Sequence, residues 1–531
     1  MAFWNKKKIE NQSTRNTRNI GAGIMHRGRV EALEKTWYSI NRGFLNSPNN
    51  EIRLQLEKTR DLSRLLASLD PYAAKYIELL STMVVGAQGI QLSPQVTSAD
   101  GTLDTDTNET IKKAWAEWCQ EASYDGRYSF RELEQLGIRT IGRDGEGLFR
   151  IVRGKKVNKF GFAIQPIDPN LLDINYNLTL SNGNYIIMGV EYNNVRPVAY
   201  HIWNRYASDV TVNGNITRTR ERVPADEILH IFDDDYGNLV RGLPWMSPAI
   251  KTLARLHEYL DAHLLACQVA AAAPLVMTSE GMDGPQYGDV AVTNTVNADG
   301  TTSALNQTPN QFIDLNYSQI LELPANKKLE ALNMQYPQSG FDVAVKTYLQ
   351  GIAAALQVSY ATLTSDSSAE SYSTVRHGSI IERDHWAQVQ EWYAKRFHNK
   401  VYRAWLEEAL LSGALDLPAN DPTAYYKVIW RPRGFRQIDP LKDMNAYLTG
   451  IEQGIYTREQ IVAEMGGDWR ENIAVIASEM KFAQEAGVPL PEMSNKVSLE
   501  QQILDLASTA QTTPTPVKKG RKKVTTTEDK S

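Results

Sequence analysis

Apolar residues return every three or four positions from Glu51 to Met83, at Leu54, Leu62, Leu65, Leu66, Leu69, Ile77 and Leu80. That spacing predicts helix with one face toward a core. Asp70-Pro71 divides the stretch in two, since proline fits the first turn of the second helix. Val84 to Leu92, with Gly86 and Gly89, reads as an extended exit. Helices are predicted again over Thr110–Ala122, with Ile111, Trp115 and Trp118 inward, and over Ser129–Ile141, with Phe130, Leu133, Leu136 and Gly137 inward. Past a turn at Asp144-Gly145 the texture becomes β: Gly147–Val152, Phe162–Ile164, Tyr185–Tyr192, Val198–Trp203 and Ile228–Phe232. The connectors carry Asn-Gly, Asn-Asn and Pro, as hairpins require. This block is predicted to be α+β with a mostly antiparallel sheet.

The pattern changes at Ser247-Pro248, a helix start with Ser at the N-cap and Pro at the first turn. Ile250, Leu253, Leu256, Leu260, Leu264, Cys267 and Ala270 then mark one face of a helix running to about Ala273, and Lys251, Arg255, Glu258, Asp261 and His263 mark the other. Residues 275–337 are rich in Gly, Asn, Thr, Asp and Pro, with short β-prone pieces such as Phe312–Leu315. A second helix is predicted over Phe341–Leu356, its stripe Phe341, Val345, Tyr348, Leu349, Ile352 and Leu356. A polar loop over Thr364–Ser371 leads into a long helix over Tyr372–Leu411. Trp430–Ile438 is an arginine-studded strand and turn, and Asp439–Ala486 reads as short helices split near Gly466-Gly467. Residues 1–30 lack apolar periodicity and read as a mobile arm; the Thr-, Pro- and Lys-rich tail from Ala510 reads as disordered.

Composition sharpens this picture mainly through charge. The formal net charge of −5 is unevenly spread: residues 1–30 carry +6 and residues 511–531 carry +4, so the body between holds −15. The two cysteines, Cys119 and Cys267, are too far apart for a CxxC site and suit a reducing compartment. No stretch reaches the ~18 uninterrupted apolar residues of a membrane span; Leu264–Met277 is short and interrupted by Gln268 and Pro274. The N-terminus has Lys6, Lys7 and Lys8 with no apolar segment behind them, so no secretory signal is expected there.

Catalytic chemistry finds little support. His257-Glu258 opens like HExxH, but the next histidine is His263, on nearly the opposite side of the helix, so the two imidazoles cannot share a zinc. Asp233-Asp234-Asp235 lacks the alternating oxygens and glycine of a calcium loop and reads as a solvated turn before Tyr236-Gly237. There is no phosphate-cradling GxxxxGK[ST] and no GxSxG. A metal-dependent nuclease using Asp233–Asp235 and a histidine is the enzymatic alternative, and a non-conducting capsid or scaffold protein the structural one. The basic ends admit weak electrostatic contact with DNA. The acidic body argues against a tight DNA groove, but not against a passage through which DNA slides.

Pro224-Ala225-Asp226-Glu227-Ile228-Leu229-His230-Ile231-Phe232, followed by Val240-Arg241-Gly242-Leu243-Pro244-Trp245-Met246-Ser247-Pro248, resembles the portal proteins of tailed bacteriophages, specifically the lambda-type family. Further pieces fall in that family's order: Asp70–Ala73, Val85-Gly86 with Gly89-Ile90, Trp115 to Phe130, Asp144-Gly145-Glu146, Ile187 to Tyr200, Ile352–Ala354 with Ser359-Tyr360, and Tyr372–Arg376. The likeness spans about residues 55–480; Thr374-Val375 stands where the family has Ser-Ala, and the 275–310 insert is Asn/Thr-rich.

The resemblance implies a ring subunit, typically one of twelve, at a single capsid vertex. The expected parts are a mobile basic arm (1–35), an α+β wing (36–246), a first stem helix (247–274), a small α/β clip (275–337), a second stem helix (338–360), a tunnel loop (361–371), a wing long helix and strand (372–438), a helical crown (439–509) and a basic tail (510–531). Double-stranded DNA would pass through the ring in packaging and ejection, in transient non-specific contact. The terminase large subunit, a head-completion or adaptor protein and the major capsid protein would dock on it, with no membrane involved. The location implied is the virion's portal vertex, after assembly in the host cytoplasm. No catalytic residue, metal or cofactor is expected. The tunnel-loop residues would be Ser365, Asp366, Ser367 and Ser368. Glu258, Asp261 and Asp342 are acidic candidates for the channel lining; their alternative use is pairing with Arg255 or Lys346 between subunits. Arg241 and Arg376 are expected to make structural salt bridges rather than DNA contacts.

Overall fold

The computed structural model describes residues 47–98, 100–206, 218–234, 236–271, 275–279, 294–296, 302–304, 327–331, 340–366, 368, 372–418, 421–437 and 439–487. The basic arm and tail, Asp235, Ser367, Phe312–Leu315 and most of the 275–337 segment lie outside the described residues. The chain divides into two units, Met1–Ile438 and Asp439–Ser531.

Side-chain caps set the first two helices. Ser47 accepts from Asn50 N at the start of α1 (Pro48–Leu69), and Asp70 Oδ1 accepts from Ala73 N at 2.6 Å to start α2 (Pro71–Leu80), each with proline in the first turn. The buried face of α1 differs in part from the one predicted: Leu66 packs against the core, but three of the other leucines do not. Ile52, Leu56, Arg60 and Ser63 point inward, while Leu54, Leu65 and Leu69 are 63%, 52% and 72% exposed. The inward polar pair has a physical reason: Arg60 and Ser63 meet the C-terminal end of the helix that follows Phe130, so polar contacts fix the orientation and the leucines face out. After α2 the helix widens into a π segment at Ser81–Val85 and stops at Gly86 (φ 73), so the predicted extended exit begins later, at β1 (Gln91–Pro94).

Helix α3 (Thr105–Trp118) buries Ile111, Trp115 and Trp118 as predicted. Helix α4 (Phe130–Asp144) opens with a capping box between Ser129 and Glu132 and ends at Gly145 in the left-handed conformation. Next come β2 (Glu146–Arg153) and β3 (Phe162–Ile167). They are followed by β4 (Leu178–Thr179), β5 (Tyr185–Ile187), β6 (Val190–Asn193), β7 (Arg196–Trp203), β8 (Arg220–Pro224) and β9 (Ile228–Phe232). Two antiparallel sheets form, in the orders β3-β2-β9 and β4-β5-β6-β7-β8. Strand β8, with Arg220, Glu221 and Arg222 exposed, carried no apolar signal and was missed by pattern.

Helix α5 (Ser247–Ala271) begins one residue earlier than predicted; Ser247 is helical, and its hydroxyl donates to the Pro244 carbonyl instead of capping. Short strands follow: β10 (Leu275–Ser279), β11 (Asn294–Val296), β12 (Thr302–Ala304) and β13 (Lys327–Ala331), with β10 antiparallel to β13 and β11 to β12. Helix α6 (Phe341–Ala355) then returns, buries Leu349 and Ile352, and leads to the short α7 (Tyr360–Thr364). The predicted long helix is α8 (Tyr372–Tyr393) and α9 (Asn399–Ser412), joined by a π segment at Ala394–His398 that turns Phe397 and His398 into the core. Strand β14 (Val428–Arg431) pairs antiparallel with β1.

The larger core gathers Trp115, Trp118, Phe130, Phe397 and Trp405 with the inner faces of α5 and α6; Trp115 alone has five aromatic neighbours within 6 Å. A second cluster packs Ile52 and Leu56 against Leu172, Val190, Ile202 and Val240. In the second unit, α10 (Pro440–Glu452), α11 (Arg458–Glu464) and α12 (Trp469–Ala486) follow the predicted pattern, with a capping box at Thr457–Gln460.

Candidate functional site

Two sequence motifs meet beneath the start of α5. Glu146, the first residue of β2, is fully buried and takes three cationic or polar partners. Arg241 Nε donates to both of its oxygens at 2.9 Å, Arg60 Nη2 donates to Oε1 at 2.9 Å, and His230 Nε2 lies 2.9 Å from Oε2. The spare donors of Arg241 go to the carbonyls of Leu172, Met188 and Pro169, and Arg60 Nε reaches the Asp144 carbonyl. Asp144 in turn holds Arg64 and Arg143. Burial pushes the Glu146 carboxyl up, but the charges of Arg241 and Arg60 with the His230 hydrogen bond outweigh it and hold the group well below the usual range. Burial holds His230 below its ordinary value against the pull of Glu146. Arg241 thus serves structure, as expected; Arg376 is half-buried on α8.

This polar cluster fixes the entry to a helical hairpin. The Trp245 N–H donates to the Gly142 carbonyl at 3.0 Å, which ties the chain just before α5 to α4. His257 Nε2 lies 2.7 Å from Asp70 Oδ2, tying α5 to the α1–α2 junction. Helices α5 and α6 run antiparallel. Leu253 and Leu256 of α5 and Leu349 and Ile352 of α6 share the buried core, whereas Tyr259 and His263 stack on Phe341 at the other end of α6. Just beyond that point Leu264 and Leu265 are 57% and 61% exposed, and Val343 in the first turn of α6 is 68% exposed, so the pair leaves apolar surface bare.

Glu258, Asp261 and Asp342 are all exposed on this hairpin. Glu258 and Asp261 lie one turn apart on α5 and share a face, and Asp342 sits in the first turn of α6. None of the three forms an ion pair among the described residues.

The loop after α6 is better anchored than its polar composition suggests. Residues 361–364 are helical in α7, capped by Ser359. Ser365 takes the left-handed conformation (φ 61) and accepts from Lys75 Nζ. Asp366 is used locally: Oδ1 accepts from Ser368 N at 3.0 Å and from its hydroxyl at 2.6 Å, and the Tyr360 hydroxyl donates to Oδ2 at 3.3 Å. The Ser368 hydroxyl, helped by its N–H, keeps the Asp366 carboxyl below its ordinary value. Glu382 of α8 completes the support, accepting from Ser359 N, the Thr362 hydroxyl and Trp386 Nε1. Lys75 and Glu382 carry no sequence signal of these roles. Both lie more than ten residues from the loop, and linear spacing carries no sign of either contact.

No group of three His, Cys, Asp or Glu among the described residues could hold a metal ion. Asp233 and Asp234 precede the turn at Tyr236, where Asp234 Oδ1 accepts from Leu239 N. His257 and His263 have separate neighbours, Asp70 and Phe341. Among the described residues no helix is long and apolar enough to cross a membrane.

The model of the family described as phage portal protein, lambda family, matches residues 38–390. A protein named "Probable portal protein" from Halomonas phage phiHAP-1 is 30% identical over 472 residues, covering 87% of each chain. Portal protein B of Escherichia phage lambda is 30% identical over 172 residues, 30% of this chain and 32% of that one. A chain from the neck of an empty GTA particle, solved with C6 symmetry, is 15% identical with a TM-score of 0.41 and covers 77% of this chain and 93% of that one. By the extent of the family match and of the Halomonas phage relative, the chain belongs to the lambda family of phage portal proteins, structural and non-enzymatic components of the capsid.

Proposed function

We propose that this chain is one subunit of a ring at a single capsid vertex, a conduit through which double-stranded DNA enters during packaging and leaves during ejection. The observation that carries this is the α5–α6 hairpin: rooted by Leu253, Leu256, Leu349 and Ile352, yet bare at Leu264, Leu265 and Val343, with unpaired acids on its flank. Exposed apolar turns on a well-anchored hairpin suit a molecule completed by its neighbours. In this reading α5 and α6 are the stem, the 275–337 segment between them is the clip, residues to Trp245 are wing, and α10–α12 belong to the crown. The clip docks the terminase and later the head-completion protein. Assembly takes place in the host cytoplasm and the ring remains in the virion, against the major capsid protein.

Electron microscopy of the purified full-length protein tests the reading. Rings with a central hole are expected; monomers alone under assembly conditions would count against it. The charge of the passage is tested separately. Negative charge around the lumen repels phosphate and limits sticking of the sliding duplex. Rings carrying Glu258→Lys, Asp261→Lys and Asp342→Lys together are expected to assemble but to package DNA about tenfold less well. Unchanged packaging by intact variant rings would remove these three residues from the lining. The loop Ser365–Ser371 is proposed as the tunnel loop; its deletion with unimpaired packaging and DNA retention would refute that role.

A further inference from the structure

The arginine-rich strand and turn over Trp430–Gln437 has no part in the conduit reading. Between Asp421 and Asp439 the chain holds Lys427, Arg431, Arg433 and Arg436 and no acidic residue, within a body that is otherwise strongly negative. The fold concentrates this charge further. Strand β14 ends at Arg431, the chain turns, and α8 brings Arg383 to the turn, where its Nη2 donates to the Arg436 carbonyl at 2.8 Å. The Phe435 ring has two guanidiniums against it, with Arg383 Cζ at 5.9 Å and Arg433 Cζ at 5.6 Å from its centroid.

The turn is built rather than loose. Arg433 Nη1 donates to the Thr82 carbonyl at 2.8 Å, and Nε to the Gly434 carbonyl at 3.4 Å. Its stem lies over Gly86, where a Cβ would fall 2.9 Å from Arg433 Cδ. Gln390 Nε2 donates to the carbonyls of both Met83 and Arg433. Burial, and after it the nearby charge of Arg436, draw Arg433 below its ordinary value.

Among the described residues, the side-chain partners of Arg383 and Arg433 are carbonyls and an aromatic ring, and no carboxylate pairs with these two or with Arg436. A guanidinium has five N–H donors. Arg383 spends one group and Arg433 two on carbonyls, while the Arg436 side chain is exposed. Two anchored guanidiniums, Arg383 and Arg433, and the exposed Arg436 between them offer spare donors to an extended polyanion. An acidic protein surface usually docks around an apolar centre. Over residues 431–437 the one large hydrophobic is the half-buried Phe435, already covered by cations.

We propose that Arg383, Arg433 and Arg436 form a binding site for the sugar-phosphate backbone of double-stranded DNA, contacted without regard to sequence. The proposal rests on the conduit reading only for the choice of DNA as the polyanion.

Full-length protein in its assembled form is titrated into a fluorescently labelled duplex of about 30 base pairs, across about 50 to 300 mM salt, with anisotropy as the readout. The double variant Arg383→Gln, Arg436→Gln is expected to bind about tenfold more weakly near 150 mM salt. Its slope of log affinity against log salt should fall by about 1.8, or about 0.9 for each lost phosphate contact. Arg436→Gln alone, which removes no contact within the chain, should give about half of that change in slope. Arg196→Gln, an exposed residue on β7, should leave both quantities unchanged. Unaltered affinity and slope in double-variant rings would overturn the proposal. So would dispersal of the rings by these substitutions, because the patch would then be a contact between subunits. Failure of the wild-type protein to form rings would instead strike the conduit reading.

Discussion

A protein carrying Glu146→Ala should lose about 3–5 kcal/mol of stability, because the substitution leaves Arg60 and Arg241 buried and unpaired. Both guanidiniums sit where water does not reach, and the carbonyls around them satisfy donors without cancelling charge. The cost is therefore larger than that of losing one hydrogen bond, which is about 1 kcal/mol. Urea unfolding followed by tryptophan fluorescence should show the midpoint move to lower denaturant. A midpoint within error of wild type would mean that the cluster is solvated in solution. Acid provides an independent check. Glu146 and His230 both have folded-state values below their unfolded ones. Their contributions are complete at neutral pH. The share from His230 is lost as the pH falls below about 6.5, and that from Glu146 below about 4.3. Glu146→Ala should remove the carboxylate's part of this acid sensitivity.

How far the sequence reveals this molecule depends on what each element packs against. The helices facing a purely apolar core were legible: Ile111, Trp115 and Trp118 on α3, and Leu349 and Ile352 on α6, lie inward at the positions their spacing predicts. On α1 the apolar spacing places Leu66 correctly against the core but misplaces Leu54, Leu65 and Leu69, because the inward side is partly polar, with Arg60 and Ser63 bonded to α4. Its exposed leucines formed the stronger stripe. The π segment at Ala394–His398 was invisible for a related reason. A one-residue widening keeps both flanks helical and changes only which side chains turn inward, and here it buries His398 against Glu134. Motifs were legible as motifs but not as contacts. Asp144-Gly145-Glu146 and Arg241-Gly242 lie almost a hundred residues apart, and neither order nor spacing says that they interlock. The acids on the hairpin are legible only as residue types: Glu258, Asp261 and Asp342 lie exposed, and no contact within the described residues says what they face.

The glycines of those two motifs give the second large expectation. Gly145 has φ 90, and a Cβ there would fall on the backbone of Gly242, Leu243 and Pro244; a Cβ on Gly242 would fall on the Gly145 carbonyl and on Phe232. At these two positions, then, backbone packs against backbone, and neither side can swing away as a flexible side chain would. Gly145→Ala combines left-handed strain of about 1–2 kcal/mol with overpacking of about 1–3 kcal/mol. Gly242→Ala carries the overpacking alone. Gly183→Ala separates the two causes, because that residue also has a positive φ (84) but open space around it, so only the strain should appear. The expected order of thermal stability is wild type, then Gly183→Ala, then Gly242→Ala and Gly145→Ala. The clash lies at Leu243-Pro244, directly before α5, so relief of it must move the root of the hairpin. Gly145→Ala is therefore expected to reduce ring formation even at temperatures where the protein remains folded, measured by electron microscopy beside circular dichroism. Normal rings from folded Gly145→Ala protein would show that the hairpin's direction does not depend on this contact.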